Sequence, residues 1–326
     1  MQHSPLHSNA VITGITGQDG AYLARLLLKK GYKVYGLIRS HTGSNLTRLE
    51  YLKILNQITL YECDLQDLSQ IIKMLVALKP KEFYNLAAQS SVSLSFQQPI
   101  GTIQFNINSV LNILEGIRLV DSEIKFYQAS SSEMYGRIDI LPITEKSNIH
   151  PLSPYAISKV AAHFTSINYR ESYNLFTCSG ILFNHESYLR GNNFFVKKIL
   201  KGALDILHNK IDFIEVGNLF IKRDFGISEK YVQAMWLMLQ QDIPDDFVIC
   251  SGKSIMLKDI VEFVFNYLDL PLTKVKVNNQ FFRPTEIEDI YGCSKKAETI
   301  LNWKYNVNFL NSLADLIIEE QTNYAN

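Results

Sequence analysis

The alternation of apolar and polar positions divides the first half of the chain into repeated strand and helix units. Asn9 to Thr13 is a short apolar run of the kind that forms a strand covered on both faces. It breaks at Gly14, Gly17 and Gly20, and beyond them Ala21 to Lys30 places Tyr22, Leu23, Leu26 and Leu27 on one helical face. The unit then recurs. Lys33 to Ile38 and Ile58 to Glu62 read as the second and third strands, Leu68 to Leu78 as a helix closed by Pro80, and Glu82 to Asn85 as the fourth strand. A long helical stretch over Thr102 to Val120 leads to a fifth strand, Lys125 to Ala129, and a helix opening at Pro154 precedes a further strand, Phe176 to Leu182. Strand and helix units joined by short loops predict an α/β fold, a Rossmann-like doubly wound parallel sheet with its ligands at the carboxyl ends of the strands. This domain is expected over residues 1–182. Beyond it the pattern changes to polar islands, among them Asn184 to Ser187, Arg190-Gly191, Lys197-Lys198 and Arg223-Asp224, separated by short apolar runs. Residues 183–326 are therefore expected to form a smaller C-terminal α/β lobe that closes on a large polar ligand, with some chain returning to the first domain.

The three glycines carry the first chemistry. Spaced three apart between a strand and a helix, they permit a tight turn, a close backbone approach to a phosphate, and a helix N-terminus aimed at that phosphate. An unliganded glycine turn is the bland alternative, and the strand before and amphipathic helix after it favour a dinucleotide site. The candidate cofactor contacts are Gly14, Gly17, Gln18, Asp19 and Gly20 in this turn, Asp64 and Leu65 after the third strand, and Leu86, Ala87 and Ala88 after the fourth. Arg39 closes the second strand where a carboxylate would bind a ribose 2′-hydroxyl and an arginine would bind a 2′-phosphate. NADP is favoured on that ground, with NAD the alternative, and Arg48 stands near enough in sequence to assist.

The fifth strand runs into Ser130-Ser-Ser-Glu-Met-Tyr-Gly136, hydroxyls and a carboxylate at the mouth of a parallel sheet. Tyr155 and Lys159 follow at helical spacing of four, so both project from one face. An ammonium beside a phenol favours the phenolate, and the spacing predicts a tyrosine whose pKa is pulled from about 10 toward neutrality. Such a tyrosine is a usable general base. A tyrosine and lysine at this spacing are common by chance, and the glycine turn and the Ser/Glu strand end give them meaning here.

Composition narrows the partners. The 32 basic and 32 acidic residues cancel, so nothing favours nucleic acid or an anionic membrane. Cys63, Cys178, Cys250 and Cys293 form no closely spaced pair, which argues against a metal site and a disulfide framework. Met1 to Ser8 is polar without an apolar signal core, and no run approaches the length of a membrane span. A cytoplasmic enzyme is expected.

The glycine pattern, the Ser/Glu strand end and Tyr155-x-x-x-Lys159 together resemble the extended short-chain dehydrogenase/reductases. Within that group Thr13-Gly-Ile-Thr-Gly-Gln-Asp-Gly20, Tyr84-Asn-Leu-Ala-Ala-Gln-Ser90, Ile181-Leu-Phe-Asn-His-Glu-Ser187 and Phe282-Arg-Pro-Thr-Glu286 are similar to the GDP-mannose 4,6-dehydratases. The resemblance spans nearly the whole chain. It implies that Tyr155 accepts the proton of the sugar C4 hydroxyl, Ser131 holds the C4 oxygen, Glu133 removes the C5 proton and returns one to the departing C6 hydroxyl, and Lys159 holds the nicotinamide ribose. It also implies that Ser90, Asn184, Lys198, Arg223, Arg283 and Glu286 hold a GDP-sugar, and that the chain assembles as a homodimer or homotetramer, the loop Ser40 to Leu46 matching a segment that reaches a neighbour's cofactor in tetramers. Four positions depart from the family. Ser131 stands for a threonine, Ser91 for a histidine, Tyr188-Leu-Arg190 for Pro-Arg-Arg, and Ser40 for a second arginine. The changes at 91 and 188–189 are expected near the hexose and leave GDP-N-acetylglucosamine or a GDP-heptose as alternatives to GDP-mannose. A 4-keto-sugar reductase or epimerase, for which Glu133 is incidental, and a sugar-nucleotide-binding protein without turnover complete the competing readings.

Overall fold

The computed structural model describes residues 8–324; the polar start at Met1 to His7 lies outside the described residues. Its strands in chain order are β1 (Asn9–Thr13), β2 (Lys33–Ile38), β3 (Thr59–Glu62), β4 (Glu82–Asn85), β5 (Lys125–Ser131) and β6 (Thr177–Leu182). Six shorter ones follow: β7 (Asn184–Glu186), β8 (Ile214–Val216), β9 (Lys222–Ile227), β10 (Phe247–Ile249), β11 (Ser254–Met256) and β12 (Val275–Val277). The helices used below are α1 (Gln18–Lys29), α2 (Thr47–Tyr51), α3 (Leu68–Leu78), α4 (Val92–Gln97), α5 (Pro99–Val120), α6 (Pro154–Tyr173), α7 (Phe195–Leu207) and α8 (Ser228–Leu239).

Seven strands form one sheet in the order β10-β6-β5-β4-β1-β2-β3, and every pair in it is parallel. The sequence order turns back between β1 and β4, and this switch point opens a crevice at the carboxyl edge. Apolar side chains of β1 and β4 explain why the sheet needs cover on both faces. Ala21, Leu23 and Leu27 of α1 and Val232, Met235 and Met238 of α8 pack one face, and Ile71 and Leu75 of α3 with Val110, Ile113 and Ile117 of α5 pack the other.

Chain beyond residue 182 contributes to this sheet: α8 packs on α1, and β10 pairs with β6. A bidentate ion pair fixes that edge, because Arg170 of α6 meets Asp246 through Nη2–Oδ2 at 2.7 Å and Nη1–Oδ1 at 3.1 Å. Asp246 also accepts from the Ser179 amide at 2.8 Å, so both charges are satisfied where they are buried. The remaining strands make a three-stranded sheet, β11-β9-β7, and a pair, β12-β8. Their separate core joins Ile199 and Ala203 of α7 to Phe225, Ile260, Val264 and Leu313. No helix among the described residues is long and apolar enough to cross a membrane.

Element ends differ from the sequence pattern where polar residues do structural work. α1 begins at Gln18, three residues before its apolar stripe. α5 begins at Pro99, whose fixed φ suits a first helical position. β5 runs on to Ser131, so Ser130 and Ser131 are strand, and Ser132 opens a 3₁₀ turn that carries Glu133. The Ser-rich stretch after residue 90 forms α4, capped by the Ser91 hydroxyl accepting from the Leu94 amide at 3.3 Å.

Candidate active site

A cavity of about 1080 Å³ lies between the carboxyl edge of the large sheet and the C-terminal lobe. Its floor is the glycine turn. Gly14 has φ +66°, and a Cβ there would stand 2.9 Å from the Ala87 nitrogen, so the β1 and β4 loops meet at a distance only glycine allows. The Thr13 hydroxyl ties the same junction, accepting from the Leu86 and Ala87 amides at 3.0 Å each and donating to Asn85 Oδ1 at 2.6 Å. At Gly20 a Cβ would fall 2.2 Å from the Gly14 carbonyl oxygen, which is why the first turn of α1 can press against the loop that feeds it.

Gly14, Gly17, Gln18, Asp19 and Gly20 line this cavity, and so do Leu86, Ala87, Ala88 and Ser90 from the other side of the switch point. The Gln18 and Asp19 side chains are engaged elsewhere. Gln18 donates to the His185 carbonyl at 3.2 Å and accepts from Ser187 at 2.7 Å; Asp19 accepts from Ser228 at 2.8 Å and lies 2.8 Å from His185 Nε2. Burial pushes the Asp19 carboxyl up, but His185 and Ser228 outweigh it and hold the pKa at about 2. These two residues thus join α1 to β7 and α8, leaving the backbone at the helix N-terminus to face a phosphate.

Asp64 and Leu65 line an adjoining cavity of about 400 Å³, with Arg39 on the wall of both. The Arg39 side chain is exposed, and its guanidinium carbon lies 6.0 Å from the Phe105 ring centre. Arg48 lines the larger cavity with Arg39. It donates to the Thr16 carbonyl at 3.0 Å and to the Leu189 carbonyl at 2.7 Å, so it clamps the glycine loop to the lobe.

Ser131, Glu133, Tyr155 and Lys159 come together on the wall opposite the glycine turn. The spacing-based expectation for Tyr155 fails in the free protein, where burial pushes the phenol up to about 12, with the Ser131 hydroxyl pulling the other way and Glu133 adding to the rise. The reason is visible in Lys159. Its ammonium donates to the Ala129 carbonyl at 2.8 Å and stands 5.8 Å from the Tyr155 ring centre, and burial pushes its own pKa down to about 8. Ser131 accepts from the Glu133 amide at 3.2 Å, fixing the turn that presents the carboxylate. Glu133 has Arg283 as a loose counter-charge, Nη1 to Oε1 at 3.9 Å.

From the lobe, Asn184, Arg223 and Arg283 line the cavity. Lys198 and Glu286 stand apart from its lining: Lys198 lies over the Phe281 ring at 4.5 Å, and Glu286 Oε1 lies 3.4 Å from Arg223 Nη2. Ser91 lines the cavity, but Tyr188 and Leu189 do not belong to its wall, which corrects the expectation that both departures face the hexose. The Tyr188 ring packs 4.7 Å from Tyr51 of α2, and Leu189 is buried in the core of the large sheet, because apolar side chains following β7 gain more by covering α2 than by lining a polar cavity.

The lining also holds Thr102 and Phe105 of α5, where no local pattern pointed to a ligand, Gln89 from the motif that ends at Ser90, and Glu186, Arg190 and Phe194 around the end of β7. Arg190 stacks on Phe194 at 3.6 Å. The polar islands at 184–187 and 190–191 were the signals for this corner. Among the described residues no cluster of His, Cys, Asp and Glu is arranged to hold a metal.

Comparison with known proteins agrees with this geometry. A family model described as GDP-mannose 4,6 dehydratase matches residues 11–316. The GDP-mannose 4,6 dehydratase of Drosophila melanogaster is 40% identical over 94% of this chain and 85% of its own length. The GDP-mannose 4,6 dehydratase 1 of Arabidopsis thaliana is 42% identical over 97% and 90%. Among solved structures, a dTDP-glucose 4,6-dehydratase of Streptomyces venezuelae with NAD bound superposes with a TM-score of 0.88 at 18% identity, covering 97% of this chain and 98% of that one.

Proposed function

The chain belongs to the GDP-mannose 4,6 dehydratase family, and from that premise we propose that it converts GDP-mannose to its GDP-4-keto-6-deoxy product with loss of water. The observation that carries the reading is a carboxylate, Glu133, in the same cavity as the Tyr155 and Lys159 pair. A reductase or epimerase has no use for that carboxylate.

The residues present fit a nicotinamide dinucleotide: a glycine turn closed by backbone contact, a helix N-terminus beside it, and a cavity whose far wall carries the polar set. When bound, that cofactor supplies the hydride acceptor for oxidation at C4 and the donor for reduction at C6. Tyr155 then takes the proton of the C4 hydroxyl, with the Ser131 hydroxyl holding the same oxygen. The 4-keto group acidifies C5; Glu133 removes that proton and delivers one to the C6 hydroxyl, which leaves as water, and as C6 is reduced the proton held by Tyr155 goes to C5. Because the phenol is raised in the free protein, the charges that arrive with the ligands must bring Tyr155 into the range of a base. Lys159 holds the nicotinamide ribose. Arg223 and Arg283 carry the diphosphate charge, with Asn184 and Ser90 as polar contacts to the sugar nucleotide, Lys198 at the rim, and Glu286 orienting Arg223.

Incubation with GDP-mannose is expected to give a product lighter by one water, with UDP- and dTDP-hexoses turned over far more slowly; faster turnover of either would overturn the reading. GDP-N-acetylglucosamine and a GDP-heptose serve in the same assay as alternatives, because Ser91 is a small residue on the cavity wall.

NADP is the favoured cofactor because Arg39, rather than an acid, stands at the end of β2 between the two cavities. Arg39→Ala is expected to weaken NADP binding by about tenfold or more while changing NAD binding little, as read by calorimetric titration. Tighter NAD than NADP binding by the unmodified protein would refute the preference. Exposed Ile157 and Phe164 on α6 and Ile100 and Leu111 on α5 favour a homodimer or homotetramer. Four free thiols suit a cytoplasmic enzyme.

A further inference from the structure

The helix that carries Tyr155 and Lys159 carries a third polar residue in the same row. His163 follows Lys159 by four positions, as Lys159 follows Tyr155, so the three stand one above another along α6. Each faces a different residue at the end of β5. Lys159 donates to the Ala129 carbonyl at 2.8 Å, His163 Nδ1 lies 3.0 Å from Ser130 Oγ, and the Ser131 hydroxyl pulls the Tyr155 pKa down against burial. Ser130 and Ser131 both line the cavity, whereas His163 stands behind it, 6% exposed.

Nothing in packing requires a histidine here, since a buried imidazole costs free energy unless its nitrogens are bonded. Burial pushes its pKa below the ordinary histidine value, with Asp246 pulling up and Arg170 down. The ring is therefore neutral at pH 7 and offers one donor and one acceptor nitrogen. In either tautomer the bond at Nδ1 fixes the place of Ser130 Oγ, and with Nδ1 as the acceptor it also fixes the direction of the hydroxyl hydrogen.

We propose that His163 is a positioning residue of the active site, acting through Ser130 so that a bound ligand meets a hydroxyl of fixed direction beside Ser131. Lys159 and His163 then hold two consecutive residues at the end of β5, Ala129 and Ser130, beside the Ser131 that faces Tyr155. The kinetic part of this inference rests on the dehydratase reading; the structural part does not.

In the NADP-loaded enzyme with GDP-mannose, His163→Leu is expected to lower kcat about tenfold with KM within about twofold, the scale of one misdirected hydrogen bond. His163→Asn, whose amide reaches the place of Nδ1, should recover most of that loss. Ser130→Ala should lose as much as His163→Leu, and the double variant no more than either, because the two act as one unit. Wild-type kcat in His163→Leu, or losses that multiply, would overturn the proposal. A fold defect is separated by thermal unfolding of each variant, and the asparagine variant carries the test where leucine is not tolerated. The nitrogen-15 shift of His163 Nδ1 gives a readout free of the reaction: it should move in Ser130→Ala and again when NADP alone is added to the wild type. No movement in either case overturns the proposal, whereas failure of the wild type to dehydrate GDP-mannose with these shifts intact would count against the assigned reaction alone.

Discussion

Replacing Glu133 by glutamine is expected to separate oxidation from elimination. The variant keeps Ser131, Tyr155 and Lys159, so substrate should still be oxidised at C4, seen as absorbance near 340 nm from the reduced dinucleotide. It lacks the group that removes the C5 proton and returns one to the C6 oxygen, so dehydrated product should fall by about 10² to 10⁴ in rate, the usual cost of a lost general acid or base. The amide is close in shape to the carboxylate, and the Glu133 amide bond to Ser131 is a main-chain contact that the change leaves in place. The counter-charge lost to Arg283 is a loose one at 3.9 Å with the arginine about a third exposed, so little stability should go with it. Wild-type release of product would remove Glu133 from the mechanism and return the reductase or epimerase reading.

Lys159→Met is expected to make the protein more stable while stopping turnover. Lys159 is 5% exposed, has the Ala129 carbonyl as its hydrogen-bond partner, and is pushed from 10.5 to about 8 by burial. Below pH 8 the ammonium is present in both the folded and unfolded chains, and folding must desolvate it. Between about pH 8 and 10.5 the unfolded chain still binds the proton that the folded one has released, so stability rises through that window. The shift corresponds to a cost on the order of 3 kcal/mol at neutral pH. Methionine fills similar volume without the charge. After allowing for the lost bond to Ala129, a gain on the order of 2 kcal/mol and several degrees in Tm is expected at pH 7, shrinking toward pH 10. Equal or lower stability at pH 7 would mean that the buried ammonium is better compensated than its surroundings indicate. Stability held back by a functional charge is common at active sites.

The alternation of apolar runs and the glycine turn were enough to read the parallel sheet, because strands covered on both faces are mostly apolar, and the buried polar residues they do carry, such as Glu82 and Asn85, are few. β1, β2 and β4 fall at the positions the pattern gives, and β3, β5 and β6 differ by one or two residues at an end. The glycine spacing was legible for a similar reason: backbone contacts at Gly14 and Gly20 leave no room for a Cβ, so the constraint is written in the residue type itself. Tyr155 and Lys159 were legible because helical spacing is local. What tertiary structure alone decided concerns partners distant in sequence. β10 joins the sheet only after an excursion through the lobe, held there by Arg170 and Asp246. Gln18 and Asp19 lie in the glycine turn, yet their side chains bond His185, Ser187 and Ser228, residues more than 160 positions away. The direction of the Tyr155 shift was likewise out of reach, since spacing places an ammonium near a phenol but only the packed structure shows that the ammonium bonds Ala129 and that burial dominates. Periodicity and backbone sterics are properties of neighbouring residues and survive in the sequence, whereas desolvation and the choice among competing hydrogen-bond partners depend on what the fold brings alongside.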